Sequence, residues 1–379
     1  TDDGNVQVSK DGGKNWNEVG QNIKGLPSNS YVSRVIASKS GRGTAYVTFD
    51  RHRDGDWNPY VFRTDDYGQT WQDLSYGLPS GSINVILEHP DNAEVLFLGT
   101  EHAVYLSMNS GKDWVEFNSN LPTTLYDDMV IHPREKDLIL GTHGRSFWVL
   151  DDTTPLAKWS ESKDKTVHVY PIRSATLFHY WKDTSYRGQE EWTGPNPDFG
   201  AIISFMVNSK YKEANIEISK RNKIIRKYTL PVNSGRINRM SWDLRHPAPL
   251  FDENNRKTPG LIKPKKSELL PIPPHSLDPQ GPHVSPGLYT VKISVGNESH
   301  TQTVRVNGDP KLKLRTGDYR QRENFLLELY ALHKAAFTMN RLLKEDIKES
   351  SKVMDKGDRK LINLKAQQKK VNSISSGAM

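Results

Sequence analysis

Four carboxylates stand where they could do acid–base chemistry: Asp50, Asp56, Glu101 and Asp127. Two carboxyl groups flanking a sugar can hydrolyse a glycosidic bond, one donating a proton while the other attacks or activates water. Around them lie His52, Arg53, His102, His143 and Arg145. These supply cations and hydrogen-bond donors for a polar ligand such as a peptide or a glycan. Each group also has a plainer reading. The run Asp50–Asn58 reads equally as a solvated insertion. Asp54 and Asp56 alone are too few ligands for Ca²⁺. His102 and His143 either line a ligand site or hydrogen-bond a neighbouring element. Arg145 either pairs with a ligand carboxylate or braces the fold. No metal and no cofactor is expected, and no complete catalytic constellation is visible.

The elements that must position these residues are announced by a repeat. Ser9–Trp16, Thr64–Trp71 and Ser107–Trp114 share the pattern Ser/Thr-x-Asp/Asn-x-Gly-x-x-Trp. Its fixed members are Asp11, Gly13 and Trp16; Asp66, Gly68 and Trp71; Asn109, Gly111 and Trp114. Asp or Asn opens a turn by accepting local backbone hydrogen bonds, and Gly supplies the positive φ. Trp is expected to enter the next strand and pack beneath its own hairpin. Leu-Pro follows each copy, and then come apolar strands: Tyr31–Ala37 and Thr44–Phe49, Ile83–Glu88 and Val95–Thr100, Asp128–His132 and Leu138–Thr142. Four short strands per roughly 45 residues is the period of a propeller blade.

These segments resemble the Asp-box, or BNR, repeat of sialidases, sortilin-type receptor ectodomains and some polysaccharide hydrolases. The chain is most similar to large bacterial secreted proteins of the sortilin-like and BNR-repeat glycosyl hydrolase type, over roughly residues 1–310. The resemblance implies a mainly β chain: about three four-stranded blades of a partial β-propeller over 1–155, then an immunoglobulin-like sandwich. It implies structural Asp-boxes on the face opposite the ligand. The loops between second and third strands, which carry the candidate residues, would then share the ligand face. Sialidase chemistry is not implied, because its arginine triad and Tyr–Glu pair are not visible. The first strands begin partway through a blade, so the sequence is expected to be a fragment with further blades upstream.

Beyond the repeat, 156–200 is expected to be a linker wrapping the blades. Six alternating strands then suggest the sandwich over 201–310, with a Pro/Lys-rich insertion at 250–286. Asn233–Leu244 and Ser285–Val291 resemble the immunoglobulin-like module that follows such propellers. A helical tail spans 316–372. Asp318 with Gln321 reads as a capping box. Phe325, Leu329, Leu332, Ala336, Met339, Leu343 and Ile347 form one apolar stripe on that helix, facing either the sandwich or a partner through 318–347.

Composition limits the rest. Cysteine is absent, which excludes disulfides, Cys-ligated metals and a Cys nucleophile. The net charge of +7 is the balance of two unlike halves. Residues 1–155 hold 13 basic and 22 acidic residues, a net of −9, and the remainder 39 and 23, a net of +16. The basic residues lie scattered on strand faces and loops without aromatic interleaving, so nucleic acid is not expected. No apolar run approaches a membrane span. The expected role is a sortilin-like binding or scaffold module, secreted or in the periplasm or cell envelope. The alternative is a glycoside hydrolase using paired carboxylates.

Overall fold

The computed structural model describes residues 1–179, 199–248, 280–353, 355 and 358–377. It divides into two compact units, Thr1–Lys163 and Asp164–Met379. The first opens with a hairpin of β1 (Gln7–Val8) and β2 (Asn17–Glu18). Two four-stranded meanders follow. They are β3 (Tyr31–Ala37), β4 (Ala45–Asp50), β5 (Tyr60–Thr64) and β6 (Gln72–Asp73), then β7 (Ile83–His89), β8 (Asn92–Thr100), β9 (Val104–Ser107) and β10 (Val115–Glu116). A last sheet has three strands, β11 (Tyr126–Ile131), β12 (Leu138–Thr142) and β13 (Phe147–Leu150). Every neighbouring pair in these sheets is antiparallel and consecutive in sequence, the order of propeller blades. The expectation of three four-stranded blades is thus met by two complete blades, one of three strands and one hairpin. After β13 the chain turns into a short helix, α1 (Thr154–Ala157), instead of a fourth strand. Asn92 Nδ2 ties that helix to the blades by donating to Ala157 O at 2.7 Å.

Each eight-residue repeat joins the last two strands of its sheet, and the three copies are built alike. The Ser or Thr hydroxyl accepts the glycine N–H at 2.8 Å in all three. It donates to the Asp or Asn side chain at 2.8–3.0 Å. That side chain accepts the backbone N–H four residues on, at 2.9–3.0 Å. These bonds, from Asn15 and from Thr70 first of all, hold the Asp11 and Asp66 carboxyls down at about 2. The glycines sit at φ +88, +82 and +83°.

The tryptophans depart from expectation. Trp71 Nε1 donates to Val19 O at 3.1 Å and Trp114 Nε1 to Leu74 O at 2.8 Å. Each acceptor belongs to the preceding sheet, so the indole fastens two sheets together and does not close its own hairpin. The glycines share the task. A Cβ on Gly68 would lie 2.7 Å from Val19, and one on Gly111 2.8 Å from Leu74. Trp16, with no sheet before it among the described residues, folds back onto Gly13 O at 3.1 Å and is 60% exposed. Between the fastened sheets lie apolar cores. One gathers Val6, Val19, Phe49 and Phe62, and the next Tyr46, Leu74, Ile83 and Leu98.

The second unit is a two-sheet sandwich. Its strands are β14 (Val167–Val169), β15 (Ala175–Leu177), β16 (Ala201–Val207), β17 (Glu213–Lys220), β18 (Lys223–Pro231), β19 (Ile237–Trp242), β20 (Gly287–Val295) and β21 (Glu298–Gly308). One sheet has the order β14-β16-β19, the other β15-β21-β20-β17-β18, and β15 joins β21 in parallel. Both sheets contribute to a single core around Trp242 and Tyr289, whose rings meet edge to face at 5.2 Å. The reading of 156–200 as linker is corrected here. Val167, Val169, Ala175 and Leu177 are at most 5% exposed within that core. Residues 180–198 of the expected linker and 250–279 of the Pro/Lys-rich insertion lie outside the described residues.

Helices α2 (Thr316–Val353) and α3 (Arg359–Gly377) end the chain. The capping box is shifted from its expected place. The Asp318 carboxylate accepts the Arg315 N–H at 2.8 Å, so Asp318 is the reaching acid of the first turn and not its cap. The start of α2 is locked onto the sandwich. Tyr319 enters the core, and its hydroxyl accepts Asp309 N–H at 3.1 Å. Glu323 accepts His246 Nε2 at 2.8 Å and Ser285 N–H at 3.0 Å. Burial opposes the Glu323 charge, but bonds from His246 and Ser285 outweigh it and lower the pKa.

Two predictions follow from these contacts. Gly68→Ala and Gly111→Ala should each cost about 2–4 kcal/mol, combining a left-handed backbone with a displaced Val19 or Leu74. Gly13→Ala meets only its own Trp16, so it should cost only about 1–2 kcal/mol. Urea unfolding followed by tryptophan fluorescence measures the difference, and equal losses at all three sites would remove the role of the sheet-to-sheet contact. Glu323→Gln should cost about 1–3 kcal/mol at neutral pH. Because the folded pKa lies below the ordinary 4.5, the wild-type advantage is present above that value and fades as pH falls through the folded one.

Candidate functional site

Two kinds of loop meet on the side of the blades away from the repeat turns. Hydrogen bonds tie the loops between second and third strands of the first and third sheets to connections entering their own or the following sheet. Arg51 Nη1 donates to Ser28 O at 3.1 Å and Ser30 Oγ at 3.0 Å. Ser80 Oγ donates to Trp57 O at 3.0 Å, and Gly81 N–H to the same oxygen at 2.7 Å. His143 N–H donates to Leu125 O at 2.9 Å. The chain order of the meander forces this segregation, since successive turns alternate between the two ends of a sheet.

Within this loop face, Asp50, His52 and Glu101 are brought together. Asp50 ends β4, and its carboxylate accepts the His52 backbone N–H at 2.9 Å and lies 2.7 Å from Nδ1 of the ring. Glu101 Oε1, from the end of β8 in the next sheet, lies 3.8 Å from the same nitrogen. One imidazole thus stands between two carboxylates from different blades. The two acid side chains are 13 and 11% exposed, and the histidine is 37% exposed. Burial raises the Asp50 pKa, but the bonds from the His52 backbone and ring outweigh it and leave the carboxyl below its ordinary value. Trp57, 45% exposed, flanks the histidine with ring centroids 6.1 Å apart. Arg53 lies over the Tyr31 ring, 5.9 Å from its centroid.

The other candidates are placed apart from this cluster. Asp56 is a loop staple, accepting Arg51 Nε at 3.2 Å, Tyr60 OH at 2.8 Å and Asn58 Nδ2 at 2.8 Å. Asp54 takes the other end of Arg51 at 3.2 Å. Both carboxylates are therefore engaged by one guanidinium. Asp127 pairs with His143 at 3.6 Å on the third sheet, both well exposed. His102 and Arg145 are exposed; Arg145 serves the fold through its carbonyl, which accepts Trp148 Nε1 at 3.1 Å. Among the described residues no group of three or more His, Asp or Glu could hold a metal ion.

Sequence reasoning missed three residues. Trp57 and Tyr31 are exposed aromatics beside the charges, and an aromatic inside an Asp/Arg loop was the available signal for Trp57. Arg34 bonds Asp128 at 2.7 Å, linking β3 to β11 across the first and third sheets. This is the brace that Arg145 was one candidate for. Nothing local in sequence marks it, because it depends on which strands face each other.

Residues 59–221 match the Sortilin-Vps10 family model, described as sortilin, neurotensin receptor 3. No curated protein matches the chain. Among solved structures, it is similar to the GH74 xyloglucanase from Xanthomonas campestris, at 15% identity and TM-score 0.32, over 39% of this chain and 24% of that one. It is also similar to YCF48 bound to D1 peptide, at 15% identity and TM-score 0.25, over 54% and 59%. A third is the GH74 enzyme of Niastella koreensis, at 13% identity and TM-score 0.24, over 62% and 44%. The chain spans between a quarter and three fifths of the length of these proteins.

The loop that carries His52 depends on Arg51, whose side chain is only 13% exposed. Arg51→Ala should cost about 2 kcal/mol by removing the donor to Ser28 O and Ser30 Oγ and the cation between Asp54 and Asp56. It should also open the segment 51–58 to limited proteolysis. A loop as resistant as the wild type would show that Arg51 does not hold it.

Proposed function

We propose that the chain contributes a sortilin-like binding or scaffold module, and that its loop face takes a polar ligand, a peptide or a glycan, at Asp50, His52 and Glu101. The observation that carries this reading is the shared imidazole. Two nearly buried carboxylates from separate blades converge on one partly exposed histidine, beside an exposed tryptophan. Such a group offers acceptors for hydroxyls or amines and an aromatic wall for an apolar ligand face. We place Arg53 with Tyr31 at the rim of the same site. The Asp127–His143 pair and Arg145 two residues on, with His102 beside Glu101, form a looser polar margin. The sandwich, read as immunoglobulin-like, serves as spacer. No helix among the described residues is long and apolar enough to cross a membrane, and we place the protein outside the cell or in the envelope.

The hydrolase reading keeps one favourable observation. Asp50 Oδ2 and Glu101 Oε1 lie 2.7 and 3.8 Å from His52 Nδ1, which bounds their separation to at most about 6.5 Å and admits the roughly 5–5.5 Å spacing of a retaining pair. Asp50, held below its ordinary pKa, would serve in such a pair as the ionised nucleophile or base and not as the acid.

Glycan-array and peptide-array screens, each paired with a hydrolysis assay on the hits, test both readings. Asp50→Asn, Glu101→Gln and Trp57→Ala should each weaken binding about tenfold or more, with unchanged circular dichroism. Turnover of a bound glycan that Asp50→Asn abolishes would favour the hydrolase. Binding indifferent to all three substitutions would sink the proposed site.

A further inference from the structure

Helix α2 buries two of its faces. Near its start Tyr319 and Glu323 face the sandwich, only 4 and 8% exposed. Further along, Leu343 is buried, Leu361 of α3 is 1% exposed, and Gln368 Nε2 donates to Asn340 Oδ1 at 3.4 Å. Much of the apolar stripe that also carries Leu343 is bare. Phe325, Leu329, Leu332, Met339 and Leu342 are 60, 37, 65, 55 and 51% exposed. A shallow groove runs along this side past Ala331, Ala335 and Thr338.

We propose that this face is an interface with a second copy of the chain, formed by two antiparallel α2 helices about a two-fold axis. A two-fold interface must be complementary to itself. The exposed apolar residues meet that demand by their spacing. Positions 325, 332, 335 and 342 are symmetric about the point midway between 333 and 334. An axis there sets Phe325 against the partner's Leu342 and Leu332 against the partner's Ala335. Leu329 then lies within one residue of the partner's Met339. Large side chains meet small or flexible ones at the centre, where two helices must approach most closely.

The area fits the same occupant. The five side chains expose on the order of 500 Å² per copy, as much as the largest apolar patch of an ordinary monomer. Doubled, this is about 1,000 Å², the lower end of a specific interface, so a weak dimer with a dissociation constant of about 1–100 µM is expected. Among the described residues, the sandwich covers the start of the helix and α3 lies along it around Leu343, and neither covers these five side chains.

The absence of cysteine makes the register testable with single substitutions in the full chain. Sedimentation equilibrium should give a concentration-dependent monomer–dimer equilibrium, which Leu332→Glu weakens at least tenfold. Phe147→Glu, on the exposed edge strand β13, should leave it unchanged. Leu332→Cys lies about 5 Å along the helix axis from its symmetry mate and should cross-link with a short bis-maleimide. Phe325→Cys lies about 25 Å from its own mate in the antiparallel pair and should not cross-link. A monomer at every concentration overturns the proposal. So does an assembly that ignores Leu332→Glu or responds to Phe147→Glu, and so does ready cross-linking through Phe325→Cys.

Discussion

The indole N–H that crosses from one sheet to the sheet before it is the contact on which the first unit depends. A single small blade cannot bury its own two faces, and its apolar residues become core only when another blade lies against it. Trp71 and Trp114 set that approach by reaching a backbone carbonyl, which is always present whatever the side chain there. The glycine three residues earlier lets the neighbouring valine or leucine come close enough for the reach. The turn hydrogen bonds matter because they hold both residues in register. The repeat therefore encodes a joint between sheets and not merely a turn within one.

This joint also explains why the polar cluster can exist. Asp50 and Glu101 belong to adjacent sheets, one at the last residue of β4 and the other just after β8. Stacking repeats in fixed register brings equivalent positions side by side, so any acid or base at that position has a neighbour from the next blade. Asp50 and Glu101 are neighbours by repetition, and His52 sits between them because its loop follows one of the two strands. The second unit is organised differently. There Glu323, with His246 and Ser285, fixes a helix to a sandwich.

Much of the fold was legible because the repeat is periodic. Three copies of one turn, each followed by strands at similar distance, predict the sheets nearly residue by residue. Strands of three residues, such as β14 and β15, leave too short an alternation to be seen and were read as linker. The site was half legible. Its carboxylates and histidine are conspicuous as residue types, and the loop position was correct for Asp50, His52 and Glu101. Sequence could not separate Asp56 from Asp50, since the difference lies in which one Arg51 reaches. Nor could it foresee Arg34 with Asp128, a pair 94 positions apart in the chain.

The two indole joints point the same way. In both, the donor and the glycine belong to the later sheet, and the carbonyl and the aliphatic side chain to the earlier one. A chain leaving the ribosome N-terminus first would therefore present both indole acceptors before their donors emerged. Each new blade then covers the open face of the one before it, whose apolar residues become core at that step.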